Sequence, residues 1–213
     1  MGKKKKRTEK THIICILDRS GSMLSIIDDS IGGFNNFLKT QKDLPDEATI
    51  TIVLFDHEYE IIYDNVDIKK AKELTTKEWF PRGTTALYDA IGKTINTEKQ
   101  NIVKPSKVLV CIVTDGQENA SKEFKLDDIK TMIANCEKDN WNFMYLAANQ
   151  DAFSVGTSFG VSGNNTYTYT ANSRGILNLS STLSDAATQY RSMSTLDADF
   201  NKMSKTLINK SEE

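Results

Sequence analysis

Ile13-Ile14-Cys15-Ile16-Leu17 runs directly into Asp18-Arg19-Ser20-Gly21-Ser22, an apolar stretch that opens onto an Asp-x-Ser-x-Ser loop. A strand buried on both faces of a parallel sheet reads as a continuous apolar run. Open α/β sheets hold their ligands beyond the carboxyl ends of such strands. The stretch therefore predicts a central strand over 11–17 with oxygen donors at its exit. One carboxylate and two hydroxyls around Gly21 can turn hard oxygens onto a single small cation. Mg²⁺ suits such a set, because it takes octahedral oxygen ligands at about 2.0–2.1 Å and keeps several waters. The competing reading has Ser20 and Ser22 cap a helix that starts near Met23, a common use of serine. The loop alone does not choose between them.

Two later segments repeat the pattern of donors at an element boundary. In Arg82-Gly83-Thr84-Thr85-Ala86-Leu87-Tyr88-Asp89-Ala90-Ile91, small and hydroxyl residues precede a helical spacing of Leu87, Ile91 and Ile95. In Val108-Leu109-Val110-Cys111-Ile112-Val113-Thr114-Asp115-Gly116, a second apolar run ends in an aspartate.

In this order the three segments resemble the von Willebrand factor A (VWA) domain and its metal-ion-dependent adhesion site (MIDAS). The resemblance spans about Thr11 to Ser194. It implies an α/β fold with a doubly wound, mostly parallel six-stranded sheet, one antiparallel edge strand and helices on both faces. It also implies that Ser20, Ser22 and a threonine touch a metal directly, with Asp18 and Asp115 holding it mainly through water. Family members commonly read Gly-Gly-Thr-Ala-Leu here, so Thr85, directly before Ala86-Leu87, fits best, with Thr84 as the alternative. Mg²⁺ is the implied cation, with Mn²⁺ or Ca²⁺ as substitutes. The implied function is a protein-interaction module in which the metal bridges to an Asp or Glu of a partner, without catalysis. Arg82 adds a cation near this site, to pair with an acidic partner or face solvent, and Glu118 and Asn119 are candidates for its rim.

A length of 213 residues favours one domain with a sizeable core. No apolar run approaches the roughly 20 residues of a membrane span, and no h-region follows the basic start. Three cysteines, an odd number, argue against a disulfide framework. Cys15 and Cys111 fall in predicted strands and Cys136 in a predicted helix, where free cysteine acts as a small hydrophobe. These features predict a cytoplasmic protein resembling stand-alone bacterial or phage domains. AAA-type ATPases or other assembly machinery are the partners expected in such settings.

Strands are expected at 11–17, 49–55, 59–66, 108–114, 142–148 and 166–171. Helices are expected near 23–42, 86–103, 126–139, 151–160 and 173–193. Alternation of the two predicts a parallel doubly wound sheet. Only Asp56-His57-Glu58 separates the second strand from the third. That link is too short for a crossover, so the pair should be an antiparallel hairpin. Ile26, Ile27, Phe34, Phe37 and Leu38 give the first helix a core-facing stripe.

The domain is expected over 11–194, between a basic tail at 1–10 and a C-terminal segment at 195–213. Residues 1–10 carry six Lys or Arg against one Glu, so a chain of net charge −2 has −7 on the remainder. Lys3 to Arg7 could touch nucleic acid or an acidic surface, but a solubilising tail is the favoured reading. Lys6 stands where N-myristoylation requires Ser or Thr. Leu196, Phe200, Met203 and Leu207 form a short amphipathic helical pattern, and Ser194 with Asp197 offers a capping box. Packing back on the domain is expected, with self-association as the alternative, structural function.

Two enzyme readings stand against the binding module. Gly156-Thr157-Ser158-Phe159-Gly160 matches a hydrolase elbow, but that elbow needs a strand immediately before it, and here a helix is predicted. His12 and His57 are the two histidines, and neither is placed near Ser158. A metal-dependent phosphotransferase with Asp18 as nucleophile lacks a phosphate-cradling Gly-x-x-x-x-Gly-Lys-Ser/Thr loop.

Overall fold

The structure, a computed structural model, describes residues 10–101, 107–148 and 151–193. The basic tail to residue 9 and the predicted C-terminal helix lie outside the described residues. Among the described residues, six strands and five α-helices form the fold: β1 Thr11–Asp18, α1 Ile27–Asp43, β2 Ala48–Phe55, β3 Tyr59–Asp67, α2 Leu87–Asn101, β4 Lys107–Thr114, α3 Leu126–Glu137, β5 Trp141–Ala148, α4 Ala152–Ser158, β6 Thr166–Tyr169 and α5 Ser173–Ser192.

They assemble one sheet of order β3-β2-β1-β4-β5-β6. All pairings are parallel except β2 with β3. The three-residue link after Phe55 dictates this exception, and it places β3 at the edge. β1 lies near the centre because both its faces are apolar. Ile13, Cys15 and Leu17 point into a core shared with α1 and α5, while Ile14 and Ile16 point into a second core with α2, α3 and α4. Burying each of these side chains is worth about 1.5–3 kcal/mol, so a charge placed at Ile14 or Ile16 would break the sheet from within. β3, at the edge, has no fully buried residue: Ile62, Tyr63 and Val66 pack against one core and Tyr59 against the other, while Glu60, Ile61, Asp64, Asn65 and Asp67 are exposed.

Register then fixes where the loops emerge. Asp18 lies beside Phe55 of β2 and Leu17 beside Val113 of β4. The exits of β1, β2 and β4 therefore share one edge.

Element limits differ from the sequence reading in a few places, each with a local cause. The helix expected from residue 23 begins as a tight 3-10 turn, Gly21–Ile26, and becomes α-helical only at Ile27. Gly21 N–H is drawn to the Gly83 carbonyl at 3.2 Å, and Met23 N–H closes a short turn on Ser20 at 3.1 Å. The last strand stops at Tyr169, because Asn172 turns back on Thr170 and its side chain accepts from Gly175 N–H to start α5. The helix expected to reach 160 ends at Ser158, just before Gly160 with φ of +104°. A left-handed residue there stops helix propagation. Among the described residues, no helix is long and apolar enough to cross a membrane.

Candidate metal centre

Asp18 is the last residue of β1 and is completely buried. One of its carboxylate oxygens accepts the Ser20 N–H at 2.6 Å, and the other accepts the Thr114 hydroxyl at 2.5 Å. Its backbone carbonyl accepts the indole N–H of Trp79 at 2.8 Å. Burial pushes the Asp18 carboxyl up to about 6, against the opposing pull of the Thr114 and Ser20 hydrogen bonds, and the Asp115 charge adds to the rise. Asp115, just past β4, is also raised by burial, with the Ser22 hydrogen bond opposing. Two acids displaced upward at one sheet edge form a site short of positive charge.

The loop after β1 lays its hydroxyls toward β4. Ser20 Oγ and Ser22 Oγ lie 3.1 Å apart, and Ser22 donates to Asp115 at 2.6 Å. Ser20 occupies the N-cap position of the 3-10 turn but makes no side-chain capping bond. Helix capping therefore does not explain this serine.

Thr85 arrives from the loop before α2 and is buried, whereas Thr84 is exposed. Asn119 clamps Thr85 from both sides. Its side-chain oxygen accepts the Thr85 N–H at 2.9 Å, and its own N–H donates to the Thr85 carbonyl at 3.0 Å. Glu118, the other rim candidate, is turned toward its own loop and α2, accepting from Tyr88 N–H, Ala120 N–H and Ser121.

Gly116 shows how closely the three loops converge. A Cβ built on it would lie 2.7 Å from Thr85 Oγ1, 3.3 Å from Ser20 Oγ and 3.4 Å from Asp18 Oδ2. A glycine thus leaves a small space where its own loop meets oxygens from two other segments, Asp18 and Ser20 after β1 and Thr85 before α2. Among the described residues, no three His, Cys, Asp or Glu side chains are arranged for a metal. Any ion here must use the hydroxyls, and that donor set of carboxylate and alcohol oxygens fits a hard cation such as Mg²⁺ or Mn²⁺.

Several supporting groups were not singled out by sequence: Thr114, Trp79 and Gly116 each act on Asp18 or its surroundings, and Asp56 binds Arg19 and Arg82. Thr114 and Gly116 could have been suspected from their places beside Asp115. Trp79 and Asp56 carry no local signal, because their partners are far away in sequence. Arg82, expected to meet a partner or solvent, is instead paired within the chain to Asp56 at 2.9 Å and to Glu58.

The residues of the enzyme readings lie elsewhere. Ser158 closes α4, and its hydroxyl donates to the Val155 carbonyl at 2.7 Å. His12 is buried between Thr49, at 2.8 Å, and Glu98, at 3.1 Å. His57 sits in the β2–β3 turn beside Asp56.

No family model matches the sequence, and no curated protein matches it either. Solved structures do. Proximal thread matrix protein 1 from the mussel byssus superposes with a TM-score of 0.62 at 17% identity, over 84% of this chain and 46% of that one. The ArnB paralog VWA2 from Sulfolobus acidocaldarius gives 0.60 at 17% identity, over 83% and 44%. The manganese-loaded TRAP protein of Plasmodium vivax gives 0.58 at 15% identity, over 80% and 72%. The chain spans less than half the length of the mussel and archaeal proteins. A doubly wound sheet with one antiparallel edge strand and helices on both faces defines the class. Within it, the chain has the von Willebrand factor A fold.

Proposed function

We propose that this domain is a metal-dependent protein-interaction module. Asp18, Ser20, Ser22, Thr85 and Asp115 would hold Mg²⁺ and leave a position open to an Asp or Glu carboxylate of a partner protein. The observation that carries the reading is the convergence of Thr85, Ser20 and Asp18 oxygens on the space beside Gly116. A divalent cation there would supply Lewis-acid attraction for a carboxylate. The chain's own part is to orient the donors: Thr114 and the Ser20 amide fix Asp18, Asn119 fixes Thr85, and Asp115 holds Ser22.

Two relatives in fold lend support. One structure of the mussel protein has a zinc-occupied MIDAS motif, and the Plasmodium protein was solved loaded with manganese. Mg²⁺ is proposed here because the donors are all oxygen and directly bound carboxylates are few, so the ion keeps much of its charge for an incoming anion. Catalysis is not part of the proposal. His12 is tied to Thr49, Thr51 and Glu98 in the interior, and the Ser158 hydroxyl is tied to its own helix. The finer reading is a cytoplasmic domain of bacterial or phage type serving an AAA-type ATPase or other assembly machinery. It draws support from three buried free thiols.

The test is retention of a partner from native lysate by the wild-type chain in Mg²⁺, in EDTA, and by the Ser20→Ala/Ser22→Ala variant. A partner held only by the metal-loaded wild type supports the reading. Equal retention in all three contradicts it.

A further inference from the structure

We propose that Asp56, Arg19 and Arg82 form a positioning clasp for the metal centre, one buried carboxylate setting the spacing between the Ser20 loop and the Thr85 loop. The inference rests on the metal reading of the site and assigns it three residues that do not touch the ion.

Asp56 is the first residue after β2, at the sheet edge where Asp18 ends β1, and it is completely buried. Its carboxylate oxygen Oδ2 accepts from two guanidinium groups, Arg19 Nε at 3.0 Å and Arg82 Nε at 2.9 Å. Each arginine belongs to a different donor loop. Arg19 stands between Asp18 and Ser20, and Arg82 stands three residues before Thr85. The other oxygen, Oδ1, accepts the Glu58 N–H at 2.6 Å, and His57 Nδ1 lies 3.2 Å from it.

The backbone repeats the same bridging. Phe55 and Asp56 carbonyls accept Arg19 N–H and Ala86 N–H, each at 2.8 Å. The two donor loops also bond directly, Arg82 N–H to the Arg19 carbonyl at 2.8 Å and Gly21 N–H to the Gly83 carbonyl at 3.2 Å. Gly83 has φ of +65°, and a Cβ on it would collide with the His57 ring. This left-handed turn, covered by the hairpin turn, returns the chain from Arg82 toward Thr85. Outer arms complete the arrangement. Arg19 reaches Glu60 at 2.5 Å and Arg82 reaches Glu58, both from the hairpin.

Such a network costs desolvation, and stability alone is a weak reason for it, since well-packed apolar residues often do as well. Its geometric effect is specific. A cation tolerates ligand displacements of only about 0.2 Å, so the relative placement of Ser20 and Thr85 decides affinity. Groups that orient ligands without touching the metal typically change its affinity by about 10–100-fold.

The sign of one substitution separates positioning from simple electrostatics. Arg82→Gln removes a positive charge near a bound cation, and Coulomb's law alone makes metal binding tighter. Loss of the clasp makes it weaker. The experiment is Mn²⁺ titration by EPR of the full chain as wild type, Arg82→Gln, Asp56→Asn and Glu98→Gln. Melting curves in EDTA establish that each is folded. Glu98→Gln is a control that disturbs the buried His12–Glu98 pair away from the metal loops.

The expected result is a dissociation constant raised about tenfold in Arg82→Gln and unchanged in Glu98→Gln, with Asp56→Asn, if it folds, at least as weak as Arg82→Gln. Unchanged or tighter binding by Arg82→Gln overturns the clasp while leaving the metal site standing. Absence of Mn²⁺ binding by the wild type overturns the metal reading and the clasp with it. Because Arg82 is exposed, that variant decides the matter even if Asp56→Asn does not fold.

Discussion

Replacing Gly116 by alanine puts one methyl group into the space that the donor oxygens border. The new Cβ would stand 2.7 Å from Thr85 Oγ1, 3.3 Å from Ser20 Oγ and 3.4 Å from Asp18 Oδ2. Ordinary contact begins near 3.4 Å, so Thr85 Oγ1 must retreat by several tenths of an ångström while the other two barely move. That retreat exceeds the roughly 0.2 Å a coordination shell tolerates, and the methyl also takes up the volume proposed for an ion. We expect at least a hundredfold loss of Mg²⁺ or Mn²⁺ affinity, about 2.8 kcal/mol at about 1.4 kcal/mol per tenfold.

The fold itself should suffer little. A methyl forced into a packed site costs about 1–3 kcal/mol, and the reduced freedom of the unfolded chain returns about 0.4–1 kcal/mol. The assay is a pair of melting curves, one in EDTA and one in excess Mg²⁺. Metal at about one hundred times its dissociation constant stabilises the native state by about 2.7 kcal/mol, which moves the midpoint of a domain this size upward by about 5–10 °C. Wild type should show that rise, and Gly116→Ala should not. A variant that melts with the full metal-induced rise refutes the claim that these oxygens surround the ion.

Three other outcomes follow from groups away from that space. Ser30, on the core side of α1, has a hydroxyl with no hydrogen-bond partner among the described residues. Ser30→Ala should therefore stabilise the domain by about 1 kcal/mol in urea titration. Asp89 feels an upward push from burial that is outweighed by N–H bonds from Lys122, Phe124 and Glu123, so its carboxyl sits below the usual range. A depressed acid contributes stability that is present above its unfolded value, about 3.9, and disappears as pH falls through the folded value. Asp89→Asn should cost about 2 kcal/mol at pH 7 and flatten the stability profile below about pH 4, as read by urea midpoints across pH. Lys107 is buried and donates to the carbonyls of Tyr190, Arg191 and Met193 at 2.8, 3.0 and 2.5 Å, closing the end of α5. Lys107→Met should lower stability by about 2–4 kcal/mol and free the last turn of α5 to exchange amide hydrogens.

Much of this was legible in the sequence because the decisive signals are local. Continuous apolar runs marked β1 and β4 as buried strands. The three residues between Phe55 and Tyr59 required a hairpin, which fixed the antiparallel edge. Hydroxyls and carboxylates at strand exits pointed to the carboxyl edge where the donors now lie. Sequence left Thr84 and Thr85 both open, and burial distinguishes them only in the packed loop before α2, where Thr85 is buried and Thr84 exposed. Asp56 looked like one acid in a polar turn. Its partners stand 37 and 26 residues away, and no periodicity reports a carboxylate shared by two distant arginines. The 3-10 turn after Ser20 was likewise hidden, since it is imposed by a hydrogen bond from Gly21 to a loop more than sixty residues later.

Crystals grown in Mn²⁺ show whether Ser20, Thr85 and Asp18 surround a divalent cation. Anomalous scattering locates manganese without reference to any assumed ligand. We expect a single strong peak beside Gly116, with Ser20 Oγ, Ser22 Oγ and Thr85 Oγ1 bound directly and Asp18 and Asp115 linked through water. A strong manganese peak at another place on the chain, or none beside Gly116 when calorimetry shows the protein saturated, would contradict it.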